Sequence, residues 1–261
     1  MRTVQIALTG EFDESVVAHR AIPRALAQAG AAVGCKVVAR WVPTSELLPD
    51  PAALLHRFDG HWCVPNSPYA SEEGALAGIA DSRRSGRPYL GTCAGFQHAV
   101  VEFARDVAGV AGAAHEETSP DAPALVVNRL SCSLVERVGL VHFRPGSRIA
   151  QAYARFFATE GYNCNFGMNA AFRGALEGAG LVVSAVDDDG DARAVEIPDH
   201  PFFVATLFQP ERSALASRRP HPLVTAFVEA ARRRVAGEEP DAEIELRVAA
   251  GSRPAPLPLG A

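Results

Sequence analysis

The segment Pro88-Tyr-Leu-Gly-Thr-Cys93-Ala-Gly-Phe-Gln97-His98 constrains the fold of this chain more than any other stretch. A short apolar run ends at Gly91, Cys93 follows two residues later, Gly95 comes next, and helix-compatible residues begin at once. G-x-C-x-G is the cysteine form of a nucleophile elbow, a strand–turn–helix junction in which the backbone passes so close to itself that the flanking positions need glycine. A thiol there sits at a helix N-terminus, where the helix dipole and free amides lower its pKa and can stabilise an oxyanion. The bland alternative is a buried cysteine in a tight βα turn. The motif alone discriminates poorly, but a strand before it and a helix after it favour the functional reading.

The surrounding pattern agrees with such a junction. Residues 4–8, 36–42, 62–64 and 88–90 read as strands, and 14–29, 72–85 and 97–108 as helices. Alternation of this kind predicts a parallel sheet with helices on both faces. In the second half, residues 126–127, 138–143, 181–186, 194–197 and 202–207 read as strands separated by turns, and 222–234 as a final helix. The run Asp187-Asp-Asp-Gly-Asp191 reads as a hairpin turn, since it lacks EF-hand spacing and the closing glutamate. Residues 1–236 are expected to form one domain. Residues 237–261 form a Pro-rich, charged tail expected to be flexible, although 243–248 alternate like a strand.

Composition removes several classes of chemistry. Lys36 is the only lysine, so there is no GxxxxGK[ST] phosphate loop, and an imine-forming lysine would have to lie in a strand-like run. The five cysteines, Cys35, Cys63, Cys93, Cys132 and Cys164, contain no CxxC pair, so no metal is expected and reduced thiols in a cytoplasmic setting are. A net charge of -5 argues against nucleic acid as a partner, and the apolar runs are too short to span a membrane.

Beyond the elbow, KVVARWV at 36–42, DGHWCVP at 59–65, VVEFARDVAG at 100–109, IPDHPFFVATL at 197–207 and RPHPLVTAF at 219–227 carry a resemblance. Over about residues 4–231 the chain resembles class I glutamine amidotransferase domains, in particular the C-terminal, glutaminase domain of CTP synthase and stand-alone proteins related to it. The resemblance implies an α/β fold, flavodoxin-like, with an open, mostly parallel sheet flanked by helices and a small antiparallel addition. It also implies glutamine hydrolysis by a Cys-His-Glu triad that releases ammonia to a synthetase.

Carried over residue by residue, the resemblance places the nucleophile on Cys93, the glutamine-pocket residue on Gln97, the group that holds the substrate amine on Glu117 and the triad acid on Glu211. The triad histidine falls on Gln209, the glycine pair of the oxyanion hole on Asn66 and Ser67 beside Ala94, and the carboxylate-binding arginine near Asn165. Gln209 cannot titrate, and loss of a bidentate arginine removes roughly 1.5–3 kcal/mol of charge-assisted binding. The side chains of Asn66 and Ser67 are expected to donate to an oxyanion in place of backbone amides. His115 and His142 rank as the only substitute bases, each more readily read as a core or surface histidine, and Cys164 offers a second thiol near the pocket but is more readily read as a small buried residue.

The reading is therefore a cysteine-nucleophile enzyme with an incomplete triad that acts on an amine-bearing small molecule by acyl transfer, amide hydrolysis or a lyase step, rather than a standard glutaminase. Two alternatives stand beside it: a glutaminase subunit that feeds a separate synthetase or biosynthetic partner, and a non-catalytic small-molecule binding protein. No cofactor is expected, and a homodimer is left open.

Overall fold

The computed structural model describes residues 2–237. The strand-like alternation expected at 243–248, and residues 238–261 of the tail expected to be flexible, lie outside the described residues. The first half runs β1 (Thr3–Thr9), α1 (Val17–Ala32), β2 (Lys36–Val42), α2 (Pro51–Leu55), β3 (Gly60–Cys63), α3 (Glu72–Ser85), β4 (Tyr89–Thr92) and α4 (Ala94–Asp106). β3 and β4 are buried at every position. A strand in a parallel sheet covered on both faces has no solvent-facing side, and the polar side chains these two carry, His61 and Thr92, are buried and hydrogen-bonded.

Local chemistry fixes the helix ends. α3 starts where Ser71 Oγ accepts from Gly74 N at 3.0 Å, carries Glu72 and Glu73 in its first turn and Arg83 and Arg84 in its last, and stops at Gly86, whose φ is 67°. α1 begins later than its periodicity suggests. The Asp13 carboxylate accepts from both the amide and the hydroxyl of Ser15, at 2.7 and 2.6 Å, and this local turn competes with helix.

The second half runs β5 (Ala113–His115), β6 (Ala124–Arg129), β7 (Arg137–Phe143), α5 (Arg148–Tyr153), β8 (Phe157–Tyr162), β9 (Phe166–Met168), α6 (Arg173–Gly178), β10 (Val182–Val186), β11 (Ala192–Glu196), β12 (Phe203–Thr206), α7 (Ser213–Ala216) and α8 (Pro222–Ala236). Among the described residues the main sheet has nine strands, in the order β2-β1-β3-β4-β12-β11-β10-β7-β8. Strands β2 to β12 in that order pair parallel, and β12 to β8 pair antiparallel. A separate three-stranded sheet has the order β5-β6-β9. The antiparallel part is thus more extensive than the small addition the sequence suggested.

Two features of this topology place the site. β12 returns from the antiparallel half to lie parallel to β4, so the loops after β4 and β12 share one edge of the sheet. α4 is buried along Ala94–Ala104, packed against β4 and β12 on one side and the small sheet on the other. The hairpin between β10 and β11 is the predicted acidic turn, closed by Asp187 Oδ1 accepting from Asp189 N and Asp191 N at 3.2 and 2.9 Å and by an Asp187–Arg193 ion pair. Among the described residues no helix is long and apolar enough to cross a membrane, and no cluster of His, Cys, Asp or Glu is arranged to hold a metal.

Candidate active site

The β4–α4 junction is the tight elbow read from the sequence. Cys93 has φ 52° and ψ -102°, a backbone conformation that costs on the order of 1–3 kcal/mol for a side-chain-bearing residue and persists where its surroundings impose it. The glycines are required by contact rather than by φ. A Cβ on Gly95 would stand 2.2 Å from Cys63 O, and one on Gly91 would stand 2.7 Å from Gly95 O. The first turn of α4 thus lies so close to the ends of β3 and β4 that only hydrogen fits at either glycine.

Cys93 opens onto a cavity of ≈ 350 Å³ at the carboxyl ends of the parallel strands, where open α/β sheets bind ligands. Asn66 and Ser67 enter it from the loop after β3, Gln209 from the loop after β12, Glu117 from beyond β5, and Asn165 from the loop between β8 and β9. Gln97 lies one turn into α4. These residues, assigned separately along the sequence, therefore gather around one thiol. Glu211 does not line the cavity; it lies wholly buried two residues beyond Gln209.

The surroundings of the sulfur favour its ionised form. The Cys164 thiol, 2.6 Å away, donates to Cys93 Sγ and is the main reason the Cys93 pKa falls below its ordinary value. Burial opposes this, while the Gln209 amide and the backbone N–H groups of Ala94 and Asn66 act in the same direction as Cys164. Cys164 shifts the other way. Burial, reinforced by its hydrogen bond to Cys93, pushes its thiol well above the ordinary range, so it keeps its proton. When Cys93 is protonated, the Asn163 carbonyl, 3.6 Å away, can accept from it.

Asn66 also acts through its main chain. It is the backbone N–H, not the side chain, that reaches the Cys93 sulfur, and a φ of 91° turns it there. Together with the N–H of Ala94 it favours the ionised sulfur. Ser67 lines the cavity from the next position.

Other side chains are held in place. Gln97 Nε2 donates to Phe166 O at 2.9 Å, and its Oε1 faces His115 Nε2 at 3.1 Å, so both ends bridge α4 to the small sheet. Asn165 Oδ1 accepts from Ser133 Oγ at 2.8 Å. Arg212, which the sequence reading passed over, lines the cavity and donates to both carboxylate oxygens of Glu136 at 2.9 and 2.7 Å.

Neither candidate substitute base reaches the thiol. Among the described residues no histidine lines the cavity. His115 is buried, its Nδ1 accepts from Glu117 N at 3.1 Å and its Nε2 faces Gln97; burial lowers its pKa to about 3. His142 is exposed on β7 and paired with Asp188 at 2.7 Å. Behind Gln209, Glu211 has no hydrogen-bond partner for either oxygen, and burial raises its pKa to about 8. Position 209 is where the resemblance places the triad histidine, and the acid two residues on is buried with no other side chain to bond it.

The family model described as "Glutamine amidotransferase class-I" matches residues 18–230. CTP synthase of Rubrobacter xylanophilus is 35% identical over 241 residues, which is 87% of this chain and 43% of that protein. CTP synthase of Thermococcus gammatolerans is 32% identical over 247 residues, 90% of this chain and 46% of that protein. The chain spans less than half the length of these curated relatives. Among solved structures, the glutaminase domain of Trypanosoma brucei CTPS with bound acivicin superposes with a TM-score of 0.79 at 24% identity, over 88% of this chain and 94% of that one. A glutamine amido transferase from Methylobacillus flagellatus superposes with a TM-score of 0.54 at 11% identity, over 94% and 98% of the two chains.

Proposed function

The chain belongs to the class I glutamine amidotransferase family, and from that premise we propose that it is a cysteine-nucleophile acyl-transfer enzyme for an amine-bearing small molecule, working without a triad histidine. The observation that carries this reading is a thiol of lowered pKa at the mouth of a cavity with two backbone amides, Asn66 N–H and Ala94 N–H, converging on it. A nucleophile and an oxyanion hole are the two elements an acyl transfer needs at the reacting carbon.

The steps follow from the positions. The Cys93 thiolate attacks a substrate carbonyl, and the amides of Asn66 and Ala94 hold the resulting oxyanion. Gln209 orients groups at the sulfur but carries no proton. Cys164 touches the sulfur and retains a transferable proton, so its thiol protonates the leaving group and recovers the proton from the incoming acceptor. The carboxylate of Glu117 at the cavity mouth holds the substrate amine, and Asn163 and Asn165 offer neutral hydrogen bonds in place of an arginine. Gln209 in place of histidine argues against a standard glutaminase, because no imidazole is available to deprotonate the thiol.

The test is intact-mass analysis of the reduced protein with amino-acid esters and with glutamine. An acyl adduct on Cys93 from an ester, absent in Cys93→Ala, is expected; no adduct from any amine-bearing ester would overturn the reading. Retention of Gln97 and Glu117 favours a second reading, a glutaminase that passes ammonia to a separate synthetase. Ammonia release from glutamine, abolished by 6-diazo-5-oxonorleucine, would select it. Binding of an amine-bearing ligand that survives alkylation of Cys93 would select a non-catalytic binding protein instead.

A further inference from the structure

Beside the proton transfer proposed for it, Cys164 has a second capacity that follows from its contact with Cys93. Its sulfur stands 2.6 Å from that of Cys93, well inside contact distance for two non-bonded sulfurs and about half an ångström beyond a disulfide bond of about 2.05 Å. The two residues are 71 apart in sequence and arrive from different halves of the molecule, Cys93 from the end of β4 and Cys164 from the loop between β8 and β9. Both line the same solvent-reached cavity. The remaining cysteines are placed otherwise: Cys35 and Cys63 are buried away from it, and Cys132 is exposed.

We propose that Cys93 and Cys164 form a redox-active dithiol that reduces a small hydroperoxide and closes to an intramolecular disulfide. The Cys93 thiolate attacks one oxygen of the hydroperoxide and the O–O bond breaks. That oxygen stays on sulfur as a sulfenic acid, and the other leaves as an alcohol, or as water, after taking a proton from solvent. The Asn66 and Ala94 amides that face the sulfur stabilise the departing oxyanion as they would a carbonyl oxyanion. The Cys164 sulfur then attacks Cys93; the S–S bond forms, the S–O bond breaks, and hydroxide leaves with the Cys164 proton as water. Two thiols lose two electrons, and one hydroperoxide becomes an alcohol and water. An external dithiol returns the pair to the reduced form by two exchange steps.

Thiolate character and access are what make one cysteine react before others, and here the favoured thiol also has its resolving partner in contact. The exposed but solitary Cys132 is the internal control. The experiment treats the fully reduced protein with one equivalent of hydrogen peroxide, blocks remaining thiols with N-ethylmaleimide and maps the peptides by mass. The expected product is a Cys93–Cys164 crosslink, formed at least about 10-fold faster than Cys132 loses its thiol. Cys164→Ser should instead trap a Cys93 sulfenic acid as a dimedone adduct, and Cys93→Ser should form no crosslink. Oxidation of Cys132 ahead of the pair, or a dimedone adduct on Cys93 in the unaltered protein with no crosslink, would overturn the inference. Should the Cys164 variant fail to fold, the mapping of the unaltered protein decides alone. Acyl-adduct formation is scored separately on reduced protein, so failure of one reading leaves the other standing.

Discussion

At Glu211 a carboxyl group is wholly buried, neither oxygen has a hydrogen-bond partner, and burial lifts its pKa to about 8. The folded protein therefore holds a proton there that the unfolded chain releases above an ordinary value of 4.5. The contribution of this group is complete below about pH 4.5 and is lost as the pH climbs toward 8, at about 1.4 kcal/mol per pH unit within that window. Thermal unfolding from pH 6 to 9 should show Tm falling, and Glu211→Gln, which keeps the shape and cannot ionise, should flatten the fall; equal slopes would show that Glu211 ionises freely. The same residue marks how far the site was legible. Cys93, Gln97, Glu117, Asn66, Ser67, Asn165 and Gln209 were assigned from the sequence and surround one cavity. Three things were not legible. Asn66 uses its main chain, which no side-chain pattern encodes. Arg212 is directed by Glu136, a partner 76 residues away. The meeting of Cys164 with Cys93 depends on where β8 and β9 fall.

The junction of β4 and α4 carries its constraint in backbone contact. Gly95→Ala would drive a methyl group into the carbonyl of Cys63, whose O would stand at 2.2 Å and C at 2.9 Å, main-chain atoms of a buried strand that cannot swing aside. A loss of about 2–3 kcal/mol in urea unfolding is expected, with slower alkylation of Cys93. Gly174→Ala, in α6 with no atom near the new Cβ, is the control and should be neutral or slightly stabilising. Elements with strong local signals were legible at their ends: α3 runs over the predicted 72–85 because Ser71, its terminal charges and Gly86 all act within a few residues. β5 and β9, with three residues each, offer too short a pattern, and β8 carries Glu160 and Gly161 within an otherwise apolar run. Those strands exist because pairing across the sheet supplies what their sequence does not.

For the whole molecule, the parallel and antiparallel halves meet at β12, and the thiol pair lies across that meeting. A Cys93–Cys164 disulfide would close a loop of 71 residues, for which chain entropy predicts a gain of up to about 4 kcal/mol. The oxidised protein should unfold at a higher temperature than the reduced one, and an equal Tm would mean that the two halves are not held together through this pair. Acyl transfer and hydroperoxide reduction alike use the Cys93 thiolate, which the Cys164 contact and the nearby amides favour with no imidazole lining the cavity among the described residues. The most direct measurement is the rate of iodoacetamide labelling at Cys93, resolved by peptide mass between pH 5 and 10, in the reduced protein and in Cys164→Ala. A single ionisation below 9.0 is expected, shifted upward when Cys164, the main source of the lowering, is removed; a Cys93 that titrates at 9.0 or above, unmoved by that substitution, would show that Cys164 does not activate it.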